Sequence, residues 1–257
     1  MLYSRALPYT IHEWLNLAIR WTHVFAAIMW IGQTYFFTWL DHTLHQEKDV
    51  WMVHSGGFYI VNKHGLDAMR SQKLHWFKWD AAMTWLSGFA LFILVYYLGG
   101  IVSGRQIWIS LGLLVLAWIV YDTLWMFVHN ETAGAVISYA LLVGLIFVAT
   151  RVFDGRGAYM QVGATLGTLM AANVWIRILP GQRKLIAAAA AGEQPDIRLA
   201  ERAKQRSKNN TFMVVPVVFI MISNHFPVST YGNTYNWIIL AVLVLVGFAA
   251  AAIIRSR

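Results

Sequence analysis

Four histidines in or beside apolar segments are the residues of this sequence that are best suited to hold a cofactor. They are His23, His75, His129 and His225. A pair of histidines from facing helices can ligate the iron of a b-type haem inside a helical bundle. The sequence contains no cysteine, which excludes iron–sulfur clusters, thiolate zinc sites and a haem attached through C-x-x-C-H. The histidines therefore predict one or two b-type haems.

A second set of polar residues interrupts the apolar segments. Its members are Asp80, Asp122, Asn173 and Arg177. Ionisable groups inside a membrane are costly, so they mark functional sites by default. Because Arg177 lies one helical turn after Asn173, one helix face presents a guanidinium and an amide, which fit a flat organic anion. The structural alternative is an Asp–Arg pair that only locks two helices together.

Long apolar segments must position these residues. The chain is 58% hydrophobic and only 12% charged, about half the charge of a typical soluble domain. Seven segments have roughly the 20 apolar residues that span a bilayer. They lie at 14–40, 76–101, 106–128, 134–152, 158–178, 211–227 and 235–254. We therefore predict an all-α fold, a polytopic transmembrane bundle of about seven spanning helices. It forms a single membrane domain over residues 1–257, with polar cytoplasmic loops at 41–75 and 179–210.

The positive charges indicate how the bundle is oriented. Lys and Arg collect in these two loops and at the C-terminal end, and cytoplasmic loops carry such an excess. We therefore predict a multi-pass protein of the bacterial inner membrane, with its N-terminus outside and its C-terminus in the cytoplasm. The same distribution accounts for the formal charge of +8 without a nucleic-acid partner. The first residues lack the apolar core and cleavage site of a signal peptide, so we expect the first span to be retained.

This topology divides the four histidines into two pairs by depth. His23 and His225 fall in the outer half of the membrane, whereas His75 and His129 return to one level near the cytoplasmic surface. Each pair is predicted to ligate one haem, and Arg20 lies one turn from His23, where it fits a haem propionate. The alternative for each helix-end histidine is an interfacial residue with its polar tip in water.

The first polar loop contains an alternating apolar pattern around a glycine pair. The pattern runs from Trp51 to His64 and predicts a short β-hairpin that folds back over the bundle. His54 then either caps a site on the cytoplasmic side or stays solvated.

Four segments resemble the membrane domain of the bacterial cytochrome-linked urate oxidases. They are WTHVFAAIMWIG (21–32), WMVHSGGFYIVNK (51–63), LHWFKWDAAMTWLSG (74–88) and NNTFMVVPVVFIMISNHFP (209–227). The spacing H-x6-W-x-G in the first segment is shared with other haem- or copper-related membrane proteins, whereas the second and last segments look specific to the family. The resemblance implies that urate is oxidised to 5-hydroxyisourate and that the electrons pass to cytochrome c instead of directly to dioxygen.

Urate as the substrate would give the polar residues definite roles. It is a monoanion near neutral pH, and we expect it to enter from the cytoplasm and to be bound by Arg177, Asn173 and His54. Asp122, together with Arg177, is the predicted catalytic residue, and it is the candidate base. Members of the family commonly end in a further helix and a c-type cytochrome domain. This sequence stops at Arg257 without C-x-x-C-H, so a separate cytochrome c is the expected electron acceptor.

Two other functions use the same residues. A transporter or channel for an organic anion would bind its cargo at the buried polar groups. A haem-bearing membrane subunit would only relay electrons, without a substrate site of its own. The absorbance spectrum of haem b distinguishes the redox functions from transport, and turnover with a soluble cytochrome distinguishes an enzyme from a relay.

Overall fold

The computed structural model describes residues 9–66 and 74–256, which form seven helices and one β-hairpin. The helices are α1 (Tyr9–Gln46), α2 (Trp79–Tyr97), α3 (Arg105–Phe127), α4 (Glu131–Val152), α5 (Gly155–Ala191), α6 (Ile197–Ser223) and α7 (Asn236–Arg255). The strands are β1 (Asp49–His54) and β2 (Gly57–Asn62). Four cations that contribute to the predicted orientation lie outside the described residues: Arg5, Arg70, Lys73 and Arg257.

Five of these helices are long and apolar enough to cross a membrane. They are α2, α3, α4, α5 and α7. In the described chain, α1 and α6 are long enough, with 38 and 27 residues, but they are not apolar enough. α6 begins with the polar stretch RLAERAKQRSKNN. The prediction of an all-α transmembrane bundle is confirmed, and five of the seven predicted spans meet this standard.

The predicted hairpin is confirmed. β1 and β2 pair antiparallel through a two-residue turn, in which Ser55 and Gly56 have φ angles of 49° and 76°, as a type I′ turn requires. The hairpin packs against α1, and Lys63 behind it donates a hydrogen bond to Asp41. It therefore lies at the end of the bundle that is predicted to be cytoplasmic, and we call this end the hairpin end.

The second predicted loop, 179–210, is mostly helical in the structure. α5 continues to Ala191 and α6 begins at Ile197. This segment is polar, but it is rich in Ala, Leu, Lys and Arg, which are strong helix formers. Gly192 ends α5 with a φ of 72°, in the left-handed conformation that glycine tolerates. In this sequence, low hydropathy therefore marks the residues outside the membrane, but it does not distinguish a helix from a loop there.

α5 lies at the centre of the bundle. The part of α5 that precedes Ala172 is mostly buried, and it packs against α2, α3, α4 and α6. Gly163 allows α6 to approach closely, because a side-chain carbon there would lie 2.8 Å from Ile220. Gly247 on α7 likewise faces the ring of Pro216 on α6, where that distance would be 3.0 Å. The core therefore consists of helices in direct contact around α5.

Candidate functional site

A buried ion cluster joins α3, α5 and α6 in the half of the bundle nearer the hairpin end. Asp122 on α3 accepts hydrogen bonds from Arg177 Nε on α5 and from Arg206 Nη2 on α6, each at 2.8 Å. Arg177 Nη2 donates to the second carboxylate oxygen. The side chains of Asp122 and Arg206 are 11% and 4% exposed, against 39% for Arg177. Because two guanidinium groups face one carboxylate, the cluster carries one net positive charge.

Asn173, which is also predicted for the site, lies beside these ions and is buried. Its amide nitrogen donates to the Tyr121 hydroxyl at 2.9 Å and to the Asn210 side-chain oxygen at 2.8 Å. Asn209 donates to the same hydroxyl at 2.9 Å. The guanidinium carbon of Arg206 lies 5.0 Å from the centre of the Tyr121 ring, a cation–π distance that joins the amides to the ions. We call the whole group the polar cluster, and it comprises Tyr121, Asp122, Asn173, Arg177, Arg206, Asn209 and Asn210.

Two buried polar atoms of the polar cluster have no hydrogen-bond partner within the described chain. They are the side-chain oxygen of Asn173 and Nη1 of Arg206. A buried polar atom without a partner costs about 1–3 kcal/mol, so each one requires an explanation. One atom is an acceptor and the other is a donor, and a net positive charge lies beside them. This combination fits an anion that both accepts and donates hydrogen bonds.

The local helix geometry explains how these residues meet. Asn173 and Arg177 lie in a π-type segment of α5, Asn173–Ile178, and such wide turns are frequent at functional sites. On α6, Arg206 and Asn210 are one turn apart and reach α3 and α5. The structure therefore brings Asp122, Asn173 and Arg177 together as expected, while their catalytic and binding roles stay predictions.

Two other predicted residues lie apart from the polar cluster. Asp80 on α2 accepts a hydrogen bond from Gln33 on α1 at 2.8 Å. His54 is exposed at the tip of the hairpin, and the hairpin packs against α1. Within the described residues, no hydrogen bond joins either side chain to the polar cluster, so the binding role of His54 stays a prediction.

His23 is held in a defined orientation against α2. Its Nδ1 donates to the carbonyl oxygen of Thr84 at 2.9 Å and lies 3.3 Å from the hydroxyl of Ser87. The ring packs so closely on Gly88 that a side-chain carbon there would lie 2.8 Å from Cε1. With Nδ1 as the donor, Nε2 carries the free lone pair. A histidine that ligates a metal is oriented in the same way, because its second ring nitrogen donates to a fixed acceptor.

His225 lies in the turn that follows α6, at the end of the bundle opposite the hairpin, and it is exposed. Its neighbour Asn224 accepts hydrogen bonds from the Tyr96 hydroxyl and from Arg156 Nε, both at 3.2 Å. These bonds join α2, α5 and α6 beside the histidine. We call His23 together with the residues around His225 the outer histidine region: His23, Tyr96, Arg156, Asn224 and His225. Within the described residues, no hydrogen bond joins His23 to the other four. The ligation of one haem by His23 and His225 stays a prediction.

The second histidine pair lies outside the helices. His75 precedes α2 and is exposed, with its ring edge-on to Phe77 at 4.7 Å between centres. His129 lies in the connection between α3 and α4 and is also exposed. α2 packs mainly against α1 and α5, whereas α3 packs mainly against α4 and α5. Since α5 is the shared neighbour of α2 and α3, the fold offers no direct support for this pair, which stays a prediction.

The sequence prediction omits four members of the polar cluster. They are Tyr121, Arg206, Asn209 and Asn210. A usable signal exists, because Arg206 and Asn210 repeat, in reverse order, the Asn–Arg spacing of residues 173 and 177. The high charge of residues 179–210 hides it, since that charge predicts a solvated loop.

Comparison with known proteins identifies one family. A family model described as urate oxidase N-terminal matches residues 9–256. No curated protein matches the chain. No solved structure matches it either. The match covers nearly the whole sequence and includes both the polar cluster and the outer histidine region. The chain therefore belongs to the urate oxidase N-terminal family.

Proposed function

We propose that this chain is a membrane-bound oxidoreductase that oxidises urate to 5-hydroxyisourate at the polar cluster. It passes the electrons through haem b to a separate cytochrome c. Membership of the urate oxidase N-terminal family supports urate as the substrate. The five long apolar helices support a location in a membrane, and we propose the bacterial inner membrane.

The two unpartnered atoms of the polar cluster are the observation on which the proposal rests. Urate is a flat anion whose edge carries both carbonyl oxygens and ring N–H groups. A carbonyl oxygen fits the donor Arg206 Nη1, and a ring N–H fits the side-chain oxygen of Asn173. The net positive charge of the cluster favours an anion over a neutral purine. Arg177, the most exposed charged group of the three, is the first that an entering anion would meet.

Asp122 fits a positioning role in this reaction. Its carboxylate already accepts hydrogen bonds from both guanidinium groups, and these contacts hold Arg177 and Arg206 against the same carboxylate. Oxidation of urate to 5-hydroxyisourate removes two electrons and two protons and adds the elements of water. A base must accept a proton in that step, and this role for Asp122 stays a prediction.

The outer histidine region fits the cofactor. Haem b, when bound, accepts electrons singly and passes them on. The hydrogen bond to the Thr84 carbonyl favours the tautomer of His23 in which Nε2 carries the free lone pair, and this is the atom that would hold the iron. Gly88 gives the ring its space, and Arg156 supplies a cation of the kind that pairs with a propionate.

Urate turnover by the purified protein tests the proposal. Under anaerobic conditions, urate should reduce the haem b of the parent and yield 5-hydroxyisourate when ferricytochrome c is added. Arg177→Lys retains the charge but loses the planar fork, so turnover should fall roughly ten- to a hundredfold. This is the effect of about 1.5–3 kcal/mol for a hydrogen bond to a charged group.

The matched control is Arg198→Lys, because Arg198 also pairs with an aspartate but is 79% exposed. Its turnover should equal that of the parent. Equal turnover in Arg177→Lys would remove Arg177 from the site. A colourless protein that accumulates urate in vesicles without oxidising it would replace the enzyme with a transporter.

A further inference from the structure

A long cavity separates α3 from α4 on the membrane-facing side of the bundle. Its volume is about 740 Å³, and α5, α6 and α7 form its back wall. Near the hairpin end, the Trp125 indole on α3 donates to the Ser138 hydroxyl on α4 at 3.1 Å, and this bond ties the two helices together. The cavity is larger than the irregular gaps that close-packed helices leave between them.

The wall of the cavity is almost wholly apolar. Leu and Val side chains from α3 and α4 form most of it, and Phe212 and Phe248 close its back. Several wall residues are also exposed, among them Leu116 and Val136. The cavity therefore opens laterally, toward the hydrocarbon that surrounds a transmembrane bundle. Within the described chain, its lining includes no histidine, which separates it from the predicted haem ligands.

The end of the cavity nearest the hairpin end is polar. Glu131 on α4 and Lys208 on α6 form an ion pair of 2.6 Å there, and Gln205 and Asn209 lie beside them. The cation-rich start of α6 continues from this point toward water. Glu131 matches the charge of Lys208, so the excess of cations at this mouth comes from the adjoining start of α6. An apolar slot whose mouth adjoins a cation-rich segment matches a molecule that has an apolar tail and an anionic head.

The dimensions of the cavity also match such a molecule. Its lining runs along α4 from Glu131 to Val148, which is about 26 Å at 1.5 Å per residue. A lipid chain needs about half of the hydrocarbon core of about 30 Å. The slot is therefore long enough for one complete chain whose head remains at the membrane surface.

We propose that an anionic glycerophospholipid from the leaflet at the hairpin end inserts one acyl chain into this cavity and places its phosphate near Lys208. Tyr121 and Asn209 line the cavity and also belong to the polar cluster. The acyl chain therefore closes the side of the polar cluster that faces the bilayer. This inference is independent of urate and of haem.

A photoreactive lipid tests the site in the full-length protein. The probe is phosphatidylglycerol with a diazirine on one acyl chain, in vesicles that contain the reconstituted protein. After irradiation, mass spectrometry of the peptides should find the label concentrated on the cavity faces of α3 and α4. Gly144→Phe fills the cavity, because a side chain at Gly144 meets open space, and it should reduce this labelling several-fold.

Gly112→Phe is the matched control. Gly112 is also an exposed helical glycine with open space beside it, but it lies outside the cavity lining. Its labelling should equal that of the parent. Ala135→Phe, at another lining position, replaces Gly144→Phe if the latter fails to fold. Labelling that is uniform around the bundle, or that survives both filling variants, would overturn the site. An isoprenoid quinone that co-purifies in place of phospholipid would overturn the identity of its occupant.

Discussion

The polar cluster and the outer histidine region hold their polar groups in different ways. In the polar cluster, side chains from three helices contact one another, and Asp122 is neutralised by two arginines. In the outer histidine region, Nδ1 of His23 donates a hydrogen bond to a backbone carbonyl oxygen of α2, and Nε2 carries the free lone pair. The first arrangement includes the counter-charges of its buried aspartate, whereas in the second, within the described chain, Nε2 of His23 makes no hydrogen bond.

Mutations in the two regions should therefore have different effects. Removing Asp122 from the polar cluster leaves Arg206 buried without its counter-charge, so the free energy of unfolding should fall. Removing His23 breaks one hydrogen bond to the backbone, and His225 is exposed, so in both cases the fold should persist while the predicted haem is lost. Stability and haem content are therefore the two measurements that compare the regions.

Asp122→Asn should produce the largest effect on stability. It leaves Arg206, whose side chain is 4% exposed, without a counter-charge, and breaking a buried ion pair from one side costs about 3–5 kcal/mol. The midpoint of thermal unfolding in one detergent should therefore fall clearly below that of the parent. Asp80→Asn is the control, because Asp80 accepts its hydrogen bond from a neutral amide and should lose far less. Equal midpoints for both variants would contradict the structural role of the ion cluster.

His23→Ala should instead remove haem and leave the fold intact. The variant deletes the nitrogen that is predicted to ligate iron, so the pyridine haemochromogen assay should show one haem fewer per chain. His225→Ala should give the same loss if the two histidines share that haem. His12→Ala is the control on α1, because His12 only approaches the carbonyl oxygen of Leu94 at 3.4 Å. Full haem content in both His23→Ala and His225→Ala would disprove the pair.

Gly88→Val should perturb the same region less severely. A side-chain carbon at position 88 would lie 2.8 Å from Cε1 of His23, so the imidazole must move away from Thr84. Overpacking of this kind costs about 1–3 kcal/mol. We expect a shifted haem spectrum with partial occupancy, measured by absorbance of the reduced protein. Gly112→Val, where the added side chain meets open space, should keep the parent spectrum, and an unchanged spectrum in Gly88→Val would separate His23 from the haem.

The sequence predicts the architecture well, because hydropathy reports directly on burial in a membrane. The helices, their order and the hairpin follow from apolar length and from alternation around Ser55–Gly56. It predicts the extent of α5 and α6 poorly, since helix formation outside the membrane depends on propensity and packing. The residues up to Ala191 and after Ile197 are strong helix formers, but neither stretch has the apolar length by which the sequence predicts a span.

The polar cluster is predictable only in part, for the same reason. Asp122, Asn173 and Arg177 stand out because each interrupts an apolar segment. Arg206 lies among other cations, which hide its spacing to Asn210 and make it resemble a solvated residue. Its burial follows from the direction of α6 and from its contact with Asp122, both of which are tertiary. The histidine pairs are difficult to predict for a different reason. The position of a residue along a helix gives its depth in the membrane, but it does not show which helices lie next to each other.

The smallest effect is expected at the hairpin, where the ion pair of Lys63 and Asp41 lies in water. Burial alone would raise the pKa of Asp41, but the hydrogen bond and charge of Lys63 outweigh it and lower that pKa below its ordinary value. A carboxyl group with a lowered pKa stabilises the folded state above its ordinary pKa, and this contribution disappears as the pH falls through the folded pKa. Because the two side chains are 53% and 46% exposed, Lys63→Met should cost less than about 1 kcal/mol. Hydrogen exchange of the β1 and β2 amides should therefore accelerate slightly at neutral pH and equal the parent in acid. Lys48→Met is the control at the other base of the hairpin, and equal acceleration in both variants at every pH would show that the ion pair does not anchor the strands.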